Sequence, residues 1–238
     1  MSFDVQLQKL YNEIHSCHIC PKMDPIKAMR LTNAVDSNMD VFIVSQALAK
    51  DSLRKTGVNF FKEGPELGYT GARLERFLNK FNRTVYPSKQ VSLGSTIIRK
   101  ADSPLLSVYN SEITQCFPGR KDGENDATPT ANEIATCLGQ TFLEREIALI
   151  KPKLLLLMGD LSRREFYKHF IGTRRTDGLQ AHLDNIVESG SMPKHKVGEL
   201  SISVLPIIHA SPRTASNFNK MLANEPLIRL IQDVLAQT

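Results

Sequence analysis

The sequence has no apolar run long enough to cross a membrane, few cysteines and no repeated or low-complexity segment. Its longest aliphatic run, Leu154 to Met158, is far shorter than the roughly 20 residues that a membrane-spanning helix needs. The N-terminal segment is expected to be an amphipathic first helix rather than a signal peptide. These features favour a cytoplasmic protein with no membrane partner, and a monomer is expected.

Cysteine is scarce, and its spacing is informative. The chain has four cysteines, of which Cys17 and Cys20 form a C-x-x-C pair, while Cys116 and Cys137 stand far downstream. In a reducing compartment four cysteines are thiols or metal ligands rather than two disulfides. Four thiolates can hold a [4Fe–4S] cluster or a zinc ion. The wide second spacing favours the cluster over zinc, and buried structural thiols are the alternative.

Charge and length set broad limits. The net charge of +5 and the pI near 9.0 would help an encounter with a polyanion, although many proteins without nucleic-acid partners share them. A chain of 238 residues can bury a full core without staples. We therefore expect one domain over residues 1–238.

Short apolar runs alternate with segments of helical periodicity. The runs at 41–44, 154–158 and 202–208 are typical of buried strands. Predicted helices cover Phe3 to His15, Gly71 to Phe81, Pro129 to Ile150, Leu161 to Phe170 and Phe218 to Leu235. This alternation predicts an α/β fold with a central, mainly parallel sheet flanked by helices on both faces. The stretch from 82 to 106 is interpreted as a possible insertion.

In such sheets the functional loops follow the carboxyl ends of the strands. Those loops begin at Ser45, near Cys116, at Gly159 and at His209. Candidate site residues are therefore sought at these four places.

Seven segments, in chain order, resemble the family 4 (iron–sulfur) uracil-DNA glycosylases. They are 45–49, 57–60, 68–74, 113–120, 133–137, 152–159 and 205–213, and the pair Cys17 and Cys20 precedes them. The resemblance covers almost the whole chain and implies a uracil-DNA glycosylase-like fold. It also implies a structural [4Fe–4S] cluster on Cys17, Cys20, Cys116 and Cys137. DNA containing a deaminated base would be the partner, and base excision repair the role.

The resemblance implies roles for residues around the base. His209 would donate a hydrogen bond to the charge that develops on the base oxygen O2. Phe60 would stack on the extruded base, and Asn110 and Glu112 would lie at its polar edge. Without the resemblance, His209 would be interpreted as a structural histidine and Phe60 as a core residue.

The resemblance also implies a water-positioning residue and a DNA-contacting loop. Gln46 or Asp51 would place the attacking water. Ser211, Arg213 and Lys220 would meet the DNA. A solvated loop before the last helix is the alternative interpretation of the last three residues.

The chain departs from the family's motifs in three places, and in the first of them, 45–49, both glycines, the proline and the acid are changed. Gln46 stands where the family has an acid, Glu112 where it has an asparagine, and Ala210 where it has a proline. Three hypotheses follow. The chain is an active glycosylase for uracil or another deaminated base, a divergent DNA-binding member with weak or no activity, or a metal-stabilised α/β protein that binds a nucleotide-like ligand.

Overall fold

The computed structural model describes residues 2–20, 39–47, 59–63, 66–87, 91–93, 96–98, 105–119 and 126–237. The α-helices in these ranges are α1 (Phe3–Ser16), α2 (Tyr69–Asn79), α3 (Ala131–Gly139), α4 (Phe142–Ile150), α5 (Asp160–Phe166), α6 (Leu179–Ser189), α7 (Ala215–Leu222) and α8 (Glu225–Ala236). A π-helical segment, Tyr167–Ile171, continues α5, and a 3-10 turn, Pro212–Thr214, precedes α7. Within these ranges, no helix combines the length and the apolar character needed to span a bilayer.

Eleven strands are present in the described ranges. They are β1 (Val41–Ser45), β2 (Phe61–Glu63), β3 (Glu66–Leu67), β4 (Arg83–Thr84), β5 (Val91–Leu93), β6 (Thr96–Ile98), β7 (Leu106–Ser107), β8 (Tyr109–Glu112), β9 (Leu154–Met158), β10 (Lys194–Val197) and β11 (Leu200–Ile207). Five of them form one sheet in the order β10-β11-β9-β1-β8. The four strands from β11 to β8 are parallel, and β10 pairs antiparallel with β11.

Helices cover both faces of this sheet. Because successive residues of a strand point to opposite sides, each strand contributes side chains to both cores. In β1, Phe42 and Val44 join a core cluster with α1 and α4, whereas Val41 and Ile43 join a second cluster with α2, α6, α7 and α8. The α/β fold with a mainly parallel, doubly covered sheet is therefore confirmed.

Two helices predicted from periodicity are each divided in the structure. The segment predicted as one helix from Pro129 to Ile150 is α3 and α4, because Thr141 adopts a left-handed φ of 58°. The predicted C-terminal helix is α7 and α8. Its break coincides with Asn224, which caps α8 by accepting from the Leu227 N–H at 3.1 Å, and with Pro226, which is excluded from helix interiors.

The region predicted as a possible insertion contains short strands, among which β4 and β7 pair in parallel. Helix α6 and strand β10 were not predicted. Strand β10 alternates charged residues with His195 and Val197, so it lacks the apolar run that marks the central strands.

A polar cluster joins the β10 edge to the helices around it. The buried Arg163 donates to the Asp177 carboxylate at 3.0 Å, and its guanidinium lies 3.5 Å from His182 Nδ1. The Tyr167 ring packs edge-on against His182 and His195, with ring centroids 5.4 and 5.2 Å apart. This cluster connects α5, the π-helical segment, α6 and β10.

Stability is expected to fall in mild acid because of His182. Burial and, to a smaller extent, the nearby Arg175 lower the pKa of this histidine from 6.5 to about 4. The unfolded chain therefore binds a proton at higher pH than the folded chain, so the contribution is complete above about 6.5 and is lost as pH falls toward 4. Its upper bound is about 3 kcal/mol.

Urea unfolding across this pH range measures the effect. We expect His182→Gln to flatten the dependence of the free energy of unfolding on pH, whereas His169→Gln, at an exposed position, leaves it unchanged. An equal slope in wild type and His182→Gln would contradict the assignment to His182.

Candidate active site

The carboxyl ends of the parallel strands form one edge of the sheet. Gln46 follows β1, Gly159 follows β9, and His209 lies two residues beyond β11. The edge is held together by backbone hydrogen bonds, among them Gly159 N–H to the Ile207 carbonyl at 2.9 Å. The loops predicted from the sequence to be functional therefore lie along one edge.

His209 is half-buried at this edge. Burial lowers the pKa of its imidazole from the usual 6.5, which favours the neutral ring. The Ser211 N–H donates to His209 Nδ1 at 3.2 Å. Because Nδ1 accepts this hydrogen bond, the proton of the neutral ring is assigned to Nε2. His209 is thus a neutral hydrogen-bond donor.

Gly159 allows the strand β9 loop to pass close to this histidine. Its φ is +92°, a conformation that residues with a Cβ rarely adopt. A Cβ built at this position would lie 3.5 Å from both Cβ and Cδ2 of His209. The glycine therefore sets both the backbone turn and one wall of the imidazole site.

The loop after His209 is stabilised by hydroxyl groups. The Thr214 hydroxyl donates to the His209 carbonyl and lies 3.0 Å from the Ser211 hydroxyl. Arg213, in the 3-10 turn, and Lys220, in α7, are exposed. The predicted DNA-contacting residues therefore lie on one short segment beside His209, and Thr214 is a supporting residue that sequence reasoning missed.

Phe60 occupies a turn with a positive φ of 73°. Of the two adjacent phenylalanines, Phe61 is buried against Tyr86, with ring centroids 5.5 Å apart, while Phe60 is half-buried. The Gly68 N–H donates to the Phe60 carbonyl at 2.8 Å. A Cβ at Gly71 would lie 2.5 Å from that carbonyl oxygen, so glycine is required for the close approach of α2.

Glu112 is fully buried at the end of β8. Its carboxylate accepts hydrogen bonds from the Asn110 amide at 3.0 Å and from the Asn59 amide. The structure therefore brings together Asn110 and Glu112, as predicted, and adds Asn59, which precedes Phe60. Sequence reasoning missed Asn59 because its partner lies far along the chain.

Gln46 is half-buried where β1 ends. Its backbone carbonyl accepts from the Thr114 N–H at 3.2 Å and the Thr114 hydroxyl at 3.3 Å. These bonds fix its backbone beside the end of β8. Asp51, the alternative water-positioning residue, lies outside the described residues.

A buried polar network supports β8 from the opposite side. Glu146 of α4 is fully buried and accepts from the Tyr109 hydroxyl at 2.7 Å, the Ser111 hydroxyl and, at 3.5 Å, the Gln115 amide. Gln115 also donates to the Glu112 backbone carbonyl at 3.0 Å. The network was not predicted, because a glutamate in a helix, such as Glu146, is expected to lie at the surface.

The four cysteines, all thiols, come from three separate parts of the chain. Cys116 and Cys137 are buried, and Cys17 and Cys20 are half-buried. Burial raises the pKa of the Cys137 thiol to about 12. The hydrogen bond from the Gln115 N–H, at 3.3 Å, opposes this rise, and the other three cysteines add a smaller contribution to it. Cys137 thus lies within electrostatic range of the other three thiols. Across the described ranges, no group of three or more His, Cys, Asp or Glu residues is arranged around a single metal-ion position.

Comparison with known proteins gives one family. The model of the uracil DNA glycosylase superfamily matches residues 32–234. No curated protein matches the chain.

Proposed function

Because the chain belongs to the uracil-DNA glycosylase superfamily, we propose that it hydrolyses the N-glycosidic bond of uracil or another deaminated base in DNA. The observation that carries this proposal is His209, a neutral donor at the carboxyl edge of the sheet whose Nδ1 is held by the Ser211 N–H. Superfamily membership supports DNA as the partner and glycosidic hydrolysis as the general reaction.

The reaction requires a donor for negative charge. As the bond between the sugar C1′ and the base nitrogen breaks, its electron pair leaves with the base, and the sugar becomes cation-like. The Nε2–H of His209 would hydrogen-bond the base oxygen on which this charge accumulates. A water oxygen then bonds to C1′ and releases a proton to solvent. The amide of Gln46 would orient that water, but it cannot accept the proton as a carboxylate would.

The base would lie between Phe60 and the carboxamides beside Glu112. An extruded base needs a flat apolar surface and a matched polar edge. The half-buried Phe60 ring offers the surface. Asn59 is adjacent in sequence, and a carboxamide supplies both a donor and an acceptor, which suits the N–H and carbonyl edge of a deaminated base. The buried Glu112 carboxylate would orient Asn59 by accepting its amide.

A divergent DNA-binding member with weak or no activity is the second candidate. The observation that favours it is Gln46, a neutral amide at the position where the family has an acid. Weak water activation would lower the rate without removing DNA binding.

Release of bases from labelled duplex oligonucleotides tests the proposed activity. Each duplex holds one uracil, hypoxanthine or xanthine, and cleavage of the resulting abasic site reports base loss. We expect release from at least one of these substrates. Tight, salt-sensitive binding with no release would favour the second candidate.

We further propose that the four thiols bind a [4Fe–4S] cluster. Four thiols suit a cluster, because a cubane binds each thiolate on a different iron rather than around one ion, and Cys137 lies within electrostatic range of the other three. The high pKa of Cys137 means that its thiolate requires nearby positive charge, which iron would provide. The cluster would brace the N-terminal helix, the loop after β8 and α3.

The cluster is tested by a substitution pair in one motif. Cys20→Ser is expected to remove most of the roughly four iron atoms per chain and the visible thiolate-to-iron absorbance. His18→Ala, an exposed position inside the same C-x-x-C motif, should retain both. Zinc in place of iron in anaerobically purified wild type would overturn the cluster.

A further inference from the structure

Helix α2 carries a stripe of one tyrosine and three cations, of which Arg73 is half-buried and the others are exposed. The stripe starts beside the proposed base pocket of Phe60, Asn59 and Glu112. Tyr69, Arg73, Arg76 and Lys80 lie at spacings of four, three and four residues, so they share one face of the helix. The opposite face is buried through Leu74, Phe77 and Leu78. We call these four residues the α2 stripe. At 1.5 Å per residue it is about 16 Å long.

The stripe is tied to the candidate site at its first turns. Gly68 and Gly71 hold the start of α2 against Phe60. Arg73 donates to the Ala210 carbonyl, directly after His209, at 3.4 Å. A strand leaving the base pocket would therefore meet Tyr69 and Arg73 first.

Tyr69 is an unusual residue for this position. Its side chain is 77% exposed, the largest exposure among the large hydrophobic residues that the described ranges reveal. An aromatic ring left in solvent at a functional edge offers a flat surface on which a base can stack. Bases inside a duplex are already stacked on their neighbours, so such a ring favours an unpaired base.

The charges of the stripe are not neutralised by its own helix. The one acidic residue of α2, Glu75, is turned inward, where it accepts from the Thr84 hydroxyl at 2.8 Å and the Val85 N–H at 2.9 Å. Among the residues that the structure describes, only the last cation of the stripe, Lys80, forms an ion pair, with the exposed Glu225 at 3.4 Å. One aromatic ring followed by a row of cations matches alternating bases and phosphates, rather than the continuous apolar patch of a protein interface.

From this arrangement we propose that the α2 stripe binds a single-stranded DNA segment that flanks the target nucleotide. Tyr69 stacks on one unpaired base, and Arg73, Arg76 and Lys80 follow the phosphates. The inference rests on the proposed action on DNA, but it concerns the strand that is bound and not the bond that is broken.

Affinity for DNA without a target base tests the stripe. Fluorescence anisotropy is measured with a labelled oligothymidine and with a duplex of the same length, over a salt series. Tyr69→Ala is expected to weaken single-strand binding roughly tenfold, since stacking on an aromatic residue is worth about 1–3 kcal/mol per base. Duplex binding should change much less, and Tyr69→Phe should bind single strands like wild type.

The cationic half is tested by Arg76→Gln. It should reduce the slope of log affinity against log salt by about 0.7, because the variant neutralises one phosphate fewer on a single strand. Val5→Ala and Lys9→Gln are matched controls. Val5 and Lys9 are an exposed apolar residue and an exposed cation on α1, four positions apart like Tyr69 and Arg73 on α2, and α1 lies on the other face of the sheet. Both controls should leave affinity and slope unchanged.

The outcomes separate the two proposals. Single-strand affinity that survives Tyr69→Ala, or equal decreases for single strand and duplex, would overturn the stripe. If no deaminated base is released yet Tyr69→Ala weakens single-strand binding selectively, the stripe stands and the glycosylase activity fails. If base release occurs but the stripe variants bind like wild type, the glycosylase activity stands and the stripe fails.

Discussion

His209→Ala is expected to lower the rate of base release by roughly 10²–10³. The substitution removes the Nε2–H donor that would stabilise the negative charge on the departing base. Its backbone setting should persist, because Thr214 holds the His209 carbonyl and not the side chain. Single-turnover kinetics with excess protein measure the chemical step, and His169→Ala, at an exposed histidine, is the control.

The protonation state of His209 makes a further distinction. Since burial places its pKa below 6.5, the neutral ring is already the main species at neutral pH, and the rate should not rise as pH increases from there. His209→Gln keeps an amide donor and should recover part of the lost rate. A rate within about threefold of wild type for His209→Ala would show that this histidine is structural.

Glu146→Leu is expected to lower the free energy of unfolding by about 3–5 kcal/mol. Leucine has a similar volume but no acceptor, so the Tyr109, Ser111 and Gln115 donors would be deprived of a shared buried partner. Urea unfolding measures the change. Glu188→Ala, an exposed glutamate in the last turn of α6, should stay within about 0.5 kcal/mol.

Strand β8 lies between the Glu146 network and the proposed base pocket. Strand β8 directs Tyr109 and Ser111 toward Glu146, while Asn110 and Glu112 meet on the alternate side of the strand. Glu146→Gln keeps one acceptor oxygen and should lose less stability than Glu146→Leu. Equal stability of Glu146→Leu and wild type would mean that the network is not a stabilising unit.

Residues with local periodicity were predicted well from the chain. The apolar runs at 41–44 and 154–158 became β1 and β9, and α1 begins and ends within one residue of its prediction. Such runs are informative because a central parallel strand is buried on both faces, so each of its side chains faces a core. His209 was placed correctly at a strand end for the same reason.

Interruptions of helices were harder to predict. The apolar spacing continues through Thr141 and through Asn224, although the chain changes direction at both. Periodicity reports which residues are buried, and not whether they are buried by one helix or by two. Pro226 was the available signal at the second break.

The composition and order of the residues were sufficient to indicate an α/β fold and a histidine loop at the sheet edge, and they predict a metal centre on the four cysteines. The partners of those residues required the folded chain. Asn59 meets Glu112, Glu146 supports β8, and α2 brings Arg73 to the histidine loop. Each of these contacts joins residues far apart in sequence, and a periodic pattern carries information only about neighbours within a few positions. A buried strand can thus be predicted from its own residues, whereas the residues that line a pocket depend on which segments the sheet and helices bring to the same edge.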